Sequence, residues 1–561
     1  MSQSSSYIGA AVVVSLWLCS RYFASSHNKV TTTKLNGPSS SNWLLGLSRL
    51  ISQSPDVGAV YEEWAAQYGS VFQFPFTFGE KKIVLTDPKA LVHFYTSERS
   101  IYVKTENDRY FIGKIFGRGV LWAEGEMHKR QRKALTPAFS NAAIRRLTAV
   151  FYDSAYKVKS LWDATLEASP ESSAVIDVQD WMNRVALDSI GIAGFSHDFE
   201  YIAGQSSPVT RAFESFQTMP TSFLSDMVFI LSMKFPFILS LPTERMRLFW
   251  ELNRSVTVIA QKLLASTRRE KESNVAEEFT DKSVIGLLLK SEMAAGQLHM
   301  TQEEIVAQMV REVLVFSLVL FVLQRTFFCY ETTSVSLTWA LIELCKHTDI
   351  QDKLRKELSR FNTSDPTWDQ LMSSELPYLD AVVQETLRLH PSVVETLRVA
   401  SCDDVIPLST PIVDAAGNTV ASITVAKGTP ILAPIRSVNR SEALWGKDAK
   451  EFIPERWFSN IDVPAKELQG YRHLLTFHDG PRTCLGKAFA LAEFKACLPP
   501  FMCVFIANFC AQSVLSVLVR NYVFEFESPD VVIENHVAIV PRPRIAGETG
   551  TRVPLRVKRA E

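Results

Sequence analysis

The stretch Phe477-His-Asp-Gly-Pro-Arg-Thr-Cys-Leu-Gly486 places one cysteine, two glycines and an arginine on a turn that leads into a predicted helix. A thiolate that ligates a metal needs its negative charge stabilised, and such a turn supplies free backbone N–H groups and the positive end of a helix dipole. Gly480 and Gly486 permit tight turns and the close approach of a flat cofactor. Arg482 can pair with a carboxylate on that cofactor. The spacing therefore predicts a metal-binding thiolate at Cys484 rather than an inert buried cysteine.

The composition predicts a large globular protein without a strongly charged partner. The chain has 561 residues, of which 47% are hydrophobic, and this is enough to bury an extensive core. Its 59 basic and 60 acidic side chains give a net charge of −1, so no overall field favours nucleic acid. The eight cysteines contain no C-x-x-C pair and are too sparse for a disulfide framework. A reducing compartment is therefore expected.

The N-terminus has the pattern of a membrane anchor. Residues 7–23 (YIGAAVVVSLWLCSRYF) are apolar apart from two serines and one arginine, and as a helix they would span about 25 Å, close to the thickness of a bilayer core. The positive residues Arg21, Lys29 and Lys34 follow the apolar run, whereas a cleaved signal peptide carries them before it. The positive-inside rule then places the rest of the chain in the cytosol. A signal peptide or an unstructured tail is the alternative.

The remaining pattern predicts one domain that is mainly α with small β-sheets. We expect residues 1–36 to form the anchor and a linker, and residues 37–561 to form the folded domain. Helical spacing dominates from about residue 120 to 390. Residues 69–86 alternate around a glycine-containing turn, which predicts a hairpin, and strand-like runs return at residues 405–434.

Two predicted helices begin with the sequence of a capping box, in which the first side chain caps the helix and the fourth reaches back to it. These are Thr301-Gln-Glu-Glu304, before a long apolar run, and Thr348-Asp-Ile-Gln351. We expect a helix to begin at each of them.

Several of these motifs together resemble the cytochrome P450 family of haem-thiolate monooxygenases, over roughly residues 40 to 540. Besides the cysteine loop, Glu385-Thr-Leu-Arg388 matches the family's E-x-x-R, and Pro454-Glu-Arg456 is its companion motif. The resemblance implies the cytochrome P450 fold and a haem b whose iron is bound by the thiolate of Cys484. It also implies a buried ion triad of Glu385, Arg388 and Arg456 behind the haem, where loss of one partner should cost several kcal/mol.

The resemblance further assigns cations to the two haem propionates. The spacing His128-x-x-x-Arg132 places both side chains on one helix face. The basic run at residues 129–133 has two other interpretations, a solvated helix face or a docking patch for an electron donor. The cofactor-binding set that the resemblance implies is His128, Arg132, Arg398, Phe477, Gly480, Arg482 and Gly486.

Glu331 and Thr332 fill the acid–alcohol pair that the family uses to steer protons to oxygen, so the resemblance gives them catalytic roles. In the family a small residue and a glycine precede this pair and leave a groove for oxygen above the haem. This sequence has Phe328 and Cys329 at those positions, and a phenylalanine cannot leave the same space. The alternative function is therefore a haem-binding protein that does not oxygenate, or an inactive one.

Two apolar segments interrupt the family pattern, residues 317–329 (SLVLFVLQRTFFC) and residues 497–513 (CLPPFMCVFIANFCAQS). Pro499 and Pro500 each cost about 3 kcal/mol in a helix interior, so the helix after the cysteine must stop there. Joining residue 496 to residue 514 restores a helix followed by a strand. We hypothesise that both segments are translated introns, and the alternative is a genuine pair of apolar loops.

The function that the resemblance implies is insertion of one oxygen atom from O2 into a lipophilic small molecule. The chain shows no flavin or dinucleotide fingerprint, so a separate NADPH-cytochrome P450 reductase should supply electrons, with cytochrome b5 as a further candidate donor. The anchor implies a single-pass protein of the endoplasmic reticulum membrane whose catalytic domain is cytosolic. The apolar residues 219–241 favour substrate entry from the bilayer, although buried core helices explain them nearly as well.

Overall fold

The computed structural model describes most of the predicted domain. The described ranges are residues 30–139, 147–205, 330–484 and 509–560, with short gaps at 196, 362–363, 373–374, 459–462, 537–539 and 549, and seven single positions that include Glu304. Several predictions concern residues outside these ranges: the anchor at 7–23, the apolar residues 219–241, Phe328 and Cys329, and Gly486.

Helices account for most of the regular structure. Within the described ranges, the α-helices are α1 Ser48–Gln53, α2 Val57–Tyr68, α3 Pro88–Ser97, α4 Glu106–Phe116, α5 Gly125–Leu135, α6 Thr148–Glu167, α7 Val178–Phe195, α8 Tyr330–Lys346, α9 Thr348–Leu358, α10 Trp368–Met372, α11 Pro377–Leu389, α12 Ile435–Asn439, α13 Glu442–Trp445 and α14 Phe509–Asn521. Short 3₁₀ turns follow several of them, including Pro454–Trp457 and Gly480–Arg482.

The strands form four small sheets. They are β1 Val71–Pro75, β2 Lys81–Leu85, β3 Tyr102–Val103, β4 Ser173–Asp177, β5 Thr396–Ala400, β6 Asp404–Val413, β7 Thr419–Val425, β8 Pro430–Ala433, β9 Tyr522–Phe526, β10 Ile533–His536, β11 Arg542–Ile545 and β12 Pro554–Arg559. The largest sheet has the order β1-β2-β8-β5-β3, with β2 and β8 parallel and its other pairs antiparallel. The others are β4-β12-β9, β6-β7 and β10-β11, all antiparallel.

The predicted hairpin at residues 69–86 is confirmed. Val71 pairs with Leu85 and Pro75 with Lys81 in an antiparallel register. A 3₁₀ turn at Thr77–Gly79 joins the strands, and Gly79 takes a positive φ of 72° there. The strand-like runs at residues 405–434 are also confirmed, as β6, β7 and β8.

The core lies between the long helices. Helix α8 is buried along almost its whole length and packs against α7, α11 and α14. All but two residues of α11 are buried, which is typical of a helix surrounded by protein. On α6 the fully buried Trp162 contacts Tyr522 and Phe524 of β9, with ring centroids 5.5 and 6.3 Å apart. These contacts fix α6 against the sheet of β4, β12 and β9.

Of the two predicted capping boxes, the one at Thr348–Gln351 does not form, and the one at Thr301–Glu304 lies mostly outside the described residues. Helix α9 does begin at Thr348, but its N-cap is His347 without a side-chain cap, and the Gln351 amide bonds to Leu344 and Phe524 instead. At the other site Thr301 lies outside the described residues, and the Glu304 carboxylate accepts hydrogen bonds from Arg130 and Gln131. For Gln351 a tertiary partner, which the local pattern does not contain, takes the side chain.

Within the described ranges, no helix combines the length and apolar character needed to cross a membrane.

Candidate functional site

The cysteine loop is a short turn whose backbone bonds orient Cys484. The Asp479 carboxylate accepts from the N–H of Gly480 at 2.7 Å, and the Cys484 N–H donates to the carbonyl of Phe477 at 2.7 Å. Gly480 has a φ of 63°, and a Cβ there would overlap the carbonyl of Tyr95, so both conformation and space require glycine. Cys484 is half-buried against the core. The loop therefore has one fixed shape around a partly accessible sulfur.

Helix α5 brings two of the predicted cofactor residues to this loop. His128 and Arg132 are both buried, and one Nη of Arg132 donates to the carbonyl of Thr483 at 2.7 Å, directly before the cysteine. Burial, and next the charges of Lys104 and Arg132, lower the pKa of His128 to about 3. His128 is therefore a neutral imidazole at physiological pH.

The rest of the basic run on α5 has mixed environments. Lys129 and Lys133 are exposed. Arg130 is about one-third exposed and forms an ion pair with Glu304, while the amide of the buried Gln131 donates to the same carboxylate at 2.8 Å. Only the two lysines of this run therefore remain available as a solvated face or a docking patch.

The other two predicted cations, Arg398 and Arg482, lie in a buried cluster that also contains carboxylates. Arg398 Nε lies 2.9 Å from an oxygen of Glu98, and both side chains are fully buried. Arg482 forms an ion pair with Glu124, and the ammonium group of Lys104 lies 3.0 Å from the other oxygen of Glu124. In these pairs three cations face two carboxylates, and Arg132 adds a fourth cation nearby.

The cluster has unused hydrogen-bond donors. Arg398 Nη2 and Arg482 Nε are buried without a hydrogen-bond partner among the described residues, which is costly unless a ligand accepts from them. Burial, and next the guanidinium groups of Arg482 and Arg398, hold the pKa of Lys104 well below its usual value. Carboxylates bound here would accept these hydrogen bonds. The residues present therefore fit a haem with two propionates.

The acid–alcohol pair lies on the first turn of α8. Glu331 is buried in an ion pair with Arg542 of β11, and burial raises the pKa of Glu331 while Arg542 opposes that rise. Thr332 is half-buried, and its backbone carbonyl accepts from Ser392 Oγ at 3.1 Å. Both predicted catalytic residues therefore have defined partners from other elements.

The predicted triad residues lie together behind the cysteine loop. Arg388 donates to both oxygens of Glu385, at 2.8 and 2.9 Å, and both side chains are fully buried. Arg456 approaches one oxygen of Glu385 at 3.5 Å and bonds more closely to Asp448, at 3.0 Å. Trp457 Nε1 donates to Glu385 at 3.0 Å. Glu385 and Arg388 thus form the tight pair, and Arg456 is a more distant third member.

Five residues around the site escaped the sequence analysis: Glu98, Lys104, Glu124, Ser392 and Arg542. None belongs to a motif with informative spacing, and each meets its partner through the fold. For Glu124 and Arg482 the separation along the chain is 358 residues. The local sequence around them gives no signal that distinguishes them from surface residues.

The comparisons with known proteins agree with this geometry. The family model for cytochrome P450 matches residues 36–515. The cytochrome P450 monooxygenases claP and claQ of Ampulloclitocybe clavipes are 52% and 51% identical to the chain, with 98% of this chain and 97% of each relative covered. Cytochrome P450 monooxygenase 128 of Postia placenta is 32% identical, with 93% of the chain and 92% of the relative covered.

These matches extend over nearly the whole chain, which includes the cysteine loop, the E-x-x-R pair and the buried cation cluster. Members of this family bind haem through a cysteine thiolate and receive electrons derived from NAD(P)H through a reductase. The chain therefore belongs to the cytochrome P450 family and is a haem-thiolate monooxygenase.

Proposed function

We propose that the protein inserts one oxygen atom of O2 into a lipophilic small molecule, with Cys484 as the thiolate ligand of the haem iron. The observation that carries the proposal is the arrangement of the cysteine loop beside four buried cations, two of which have unused donors. Of the other cysteines whose side chains the structure describes, Cys345 is buried in the core and Cys402 is exposed.

The chain's own residues hold the cofactor and deliver protons. Arg132, Arg398 and Arg482 bind the propionates, with neutral His128 as a hydrogen-bond donor beside them. Glu331 and Thr332 hold and pass the protons that oxygen reduction consumes. When bound, the haem supplies the iron chemistry that activates O2, and the thiolate favours cleavage of the O–O bond.

Electrons come from outside the chain. A separate NADPH-cytochrome P450 reductase, or cytochrome b5, delivers them, and the exposed Lys129 and Lys133 of α5 are candidate contacts for such a donor. The apolar residues 7–23 anchor the protein in the endoplasmic reticulum membrane, with residues 37–561 as the catalytic domain in the cytosol. A membrane location suits a substrate that partitions into lipid.

The experiment expresses the full chain with a reductase in a membrane fraction and records the carbon monoxide difference spectrum. The thiolate-type band should appear, and the Cys484→Ala variant should lose it. Panels of terpenoids, sterols, fatty acids and aromatic compounds are then screened for binding shifts in the haem spectrum, and the binders are tested for NADPH-dependent oxygenated products. A thiolate-type band without any oxygenated product would favour the non-oxygenating alternative, whereas a band that persists in Cys484→Ala would exclude Cys484 as the ligand.

The present observations do not favour that alternative. It rests on Phe328 and Cys329, which lie outside the described residues. Relatives about 50% identical over nearly the full length are named monooxygenases.

A further inference from the structure

The ion pair between Glu331 and Arg542 joins two elements that are distant in sequence. Glu331 lies on the first turn of α8, and Arg542 is the first residue of β11, 211 residues further along the chain. Nε and one Nη of Arg542 both contact Oε1 of Glu331. Two donors of the guanidinium thus bind one oxygen of the carboxylate.

Both side chains are at least nine-tenths buried, with Glu331 3% and Arg542 5% exposed. An unpaired carboxylate at such a depth would take up a proton, because burial disfavours the charged form. The guanidinium opposes this effect, since it stays charged at all relevant pH values. Burial therefore raises the pKa of Glu331, and Arg542 limits that rise.

The other charged groups on the elements packed against α8 have different partners. On α7, Asp188 accepts from the backbone N–H groups of residues 201 and 202. On α11, Glu385 pairs with Arg388, and on β9 Glu525 pairs with Lys558. Further along α8 itself, Glu343 pairs with His390 and Lys346. Among the described residues, Arg542 is the charged group that acts on Glu331.

We propose that Arg542 is a positioning residue for proton delivery, because its guanidinium holds the Glu331 carboxylate in one orientation beside Thr332. The inference rests on the proposed function, in which Glu331 and Thr332 pass protons to the oxygen site. Oxygen reduction with product formation consumes two protons and two electrons for each oxygen atom inserted, the second oxygen atom leaving as water. A Glu331 that is misplaced or permanently protonated would interrupt this supply, so NADPH would be consumed without product.

The first measurement is the amount of product per NADPH consumed, in the haem-loaded full chain with reductase. A positioned acid or base contributes roughly 10²–10⁴-fold to a rate, and for Arg542→Gln, which leaves the acid in place but misdirected, we expect product per NADPH to fall about tenfold. Arg542→Lys keeps the positive charge but cannot place two guanidinium donors on one carboxylate oxygen, so it should recover part of the lost product per NADPH. Arg440→Gln is the matched control, because Arg440 pairs with Asp56 and Glu62 away from this site. The control should keep the wild-type product ratio.

The second measurement needs no turnover. Isotope-edited infrared spectra, with Glu331→Gln to identify the Glu331 carboxyl band, follow its protonation as a function of pH. Loss of an opposite charge within a few ångströms raises a carboxyl pKa by about 1–3 pH units, so the midpoint should move to higher pH in Arg542→Gln and stay unchanged in Arg440→Gln. If wild-type protein gives no product, the proposed function fails, yet this titration still tests the contact.

A double variant covers the case in which Arg542→Gln does not fold. Glu331→Gln with Arg542→Met removes both charges, which buried pairs often tolerate. If Arg542 acts through Glu331, the double variant and Glu331→Gln alone should give the same product per NADPH. The proposal would be overturned if the double variant gave less product per NADPH than Glu331→Gln alone. It would also be overturned if Arg542→Gln kept both the wild-type product per NADPH and the wild-type protonation midpoint of Glu331.

Discussion

Glu385 shows how the fold accommodates a fully buried charge. One carboxylate oxygen accepts from Arg388 Nη2 and the backbone N–H of Ile453, and the other accepts from Arg388 Nε and Trp457 Nε1. Arg388 uses its remaining donors on the carbonyls of Asn439, Ala449 and Glu451. This pair is saturated, whereas Arg398 and Arg482 near the cysteine keep unused donors. Arg388 and Arg398 are almost equally buried, and they differ in how many of their hydrogen-bond donors are used.

His390 gives a residue-scale prediction about pH. Its side chain is 10% exposed, stacks on Trp339 with ring centroids 4.0 Å apart, and contacts Glu343 Oε1 through Nε2 at 3.0 Å. Burial lowers the pKa of His390 to about 4, against about 6.5 for an unperturbed histidine. Between these values the unfolded chain binds a proton that the folded chain does not, so stability falls as the pH falls. The loss from this residue is about 1.4 kcal/mol per pH unit.

His390→Gln retains a donor for Glu343 but cannot titrate. Its free energy of unfolding, from urea denaturation followed by circular dichroism, should therefore fall less steeply than that of the wild type between about pH 6.5 and 4. Lys346→Gln removes another partner of Glu343 without removing a group that titrates in this range, so it should keep the wild-type slope. Equal slopes for wild type and His390→Gln would show that His390 does not titrate differently in the folded state.

At the residue scale the sequence predicts partners that are close along the chain or belong to a known motif. Glu385 and Arg388 are three residues apart on one helix face, so their contact follows from helix geometry. The spacing likewise placed His128 and Arg132 together on α5. Glu98, which approaches Arg398, and Glu124, which pairs with Arg482, come from other segments, and only the tertiary fold brings them together.

At the element scale, Gln351 of α9 covers an open strand edge. Strand β9 is the last strand of the sheet β4-β12-β9, so one side of it has no strand partner within this sheet. The Gln351 amide donates to the carbonyl of Phe524 at 3.0 Å and accepts from its N–H at 2.9 Å, and Gln351 is buried. A side chain thus takes the place of the missing strand at this position, one way in which proteins protect an edge.

Gln351→Leu tests this contact because it keeps the volume but removes the amide. The N–H and C=O of Phe524 and the carbonyl of Leu344 then lose a partner inside the protein, and an unsatisfied buried group costs about 1–3 kcal/mol. The free energy of unfolding in urea should fall by about 2–4 kcal/mol. Gln67→Leu, at an exposed position on α2, should change it by less than about 0.5 kcal/mol. A Gln351→Leu variant as stable as this control would mean that water satisfies the strand edge.

A helix or strand was predictable from the sequence where its own residues determine its conformation. The hairpin β1–β2 was found because alternation and a glycine turn specify it locally. The edge contact of Gln351 was not predicted from the sequence. A capping box and an edge contact use the same residue type at the same position, and the tertiary partner determines which of the two forms. The pairing of β12 with β4, more than 370 residues apart in sequence, carries no local signal either.

At the scale of the whole molecule, the site collects segments from distant parts of the chain. The buried cation cluster combines residues between 98 and 482, and the ion pair of Glu331 depends on β11 near the C-terminus. Helix α14 and strand β9 follow each other directly at Phe509–Asn521 and Tyr522–Phe526, as the sequence predicts for residues 514 onward. A change in chain length between the cysteine loop and α14, or before α8, therefore shifts the site residues relative to one another.

The two apolar segments lead to the last prediction. Residues 317–329 and 497–508 lie outside the described residues, and the last five residues of the second segment, 509–513, belong to α14. If both segments are translated introns, a chain with Ala-Gly in place of 317–329 and with 497–513 deleted should bind more haem per protein than the full chain. The physical reason is that Pro499 and Pro500, at about 3 kcal/mol each in a helix, no longer interrupt the helix behind Cys484. The first change also moves Thr332 back by about three helical turns relative to the residues before 317.

Haem content is measured from the carbon monoxide difference spectrum against total protein, with each change made singly as a control, and the transcript is sequenced from the same source. Genuine loops would give the opposite result: an abundant message that contains both segments, and a full chain that binds haem better than the shortened one.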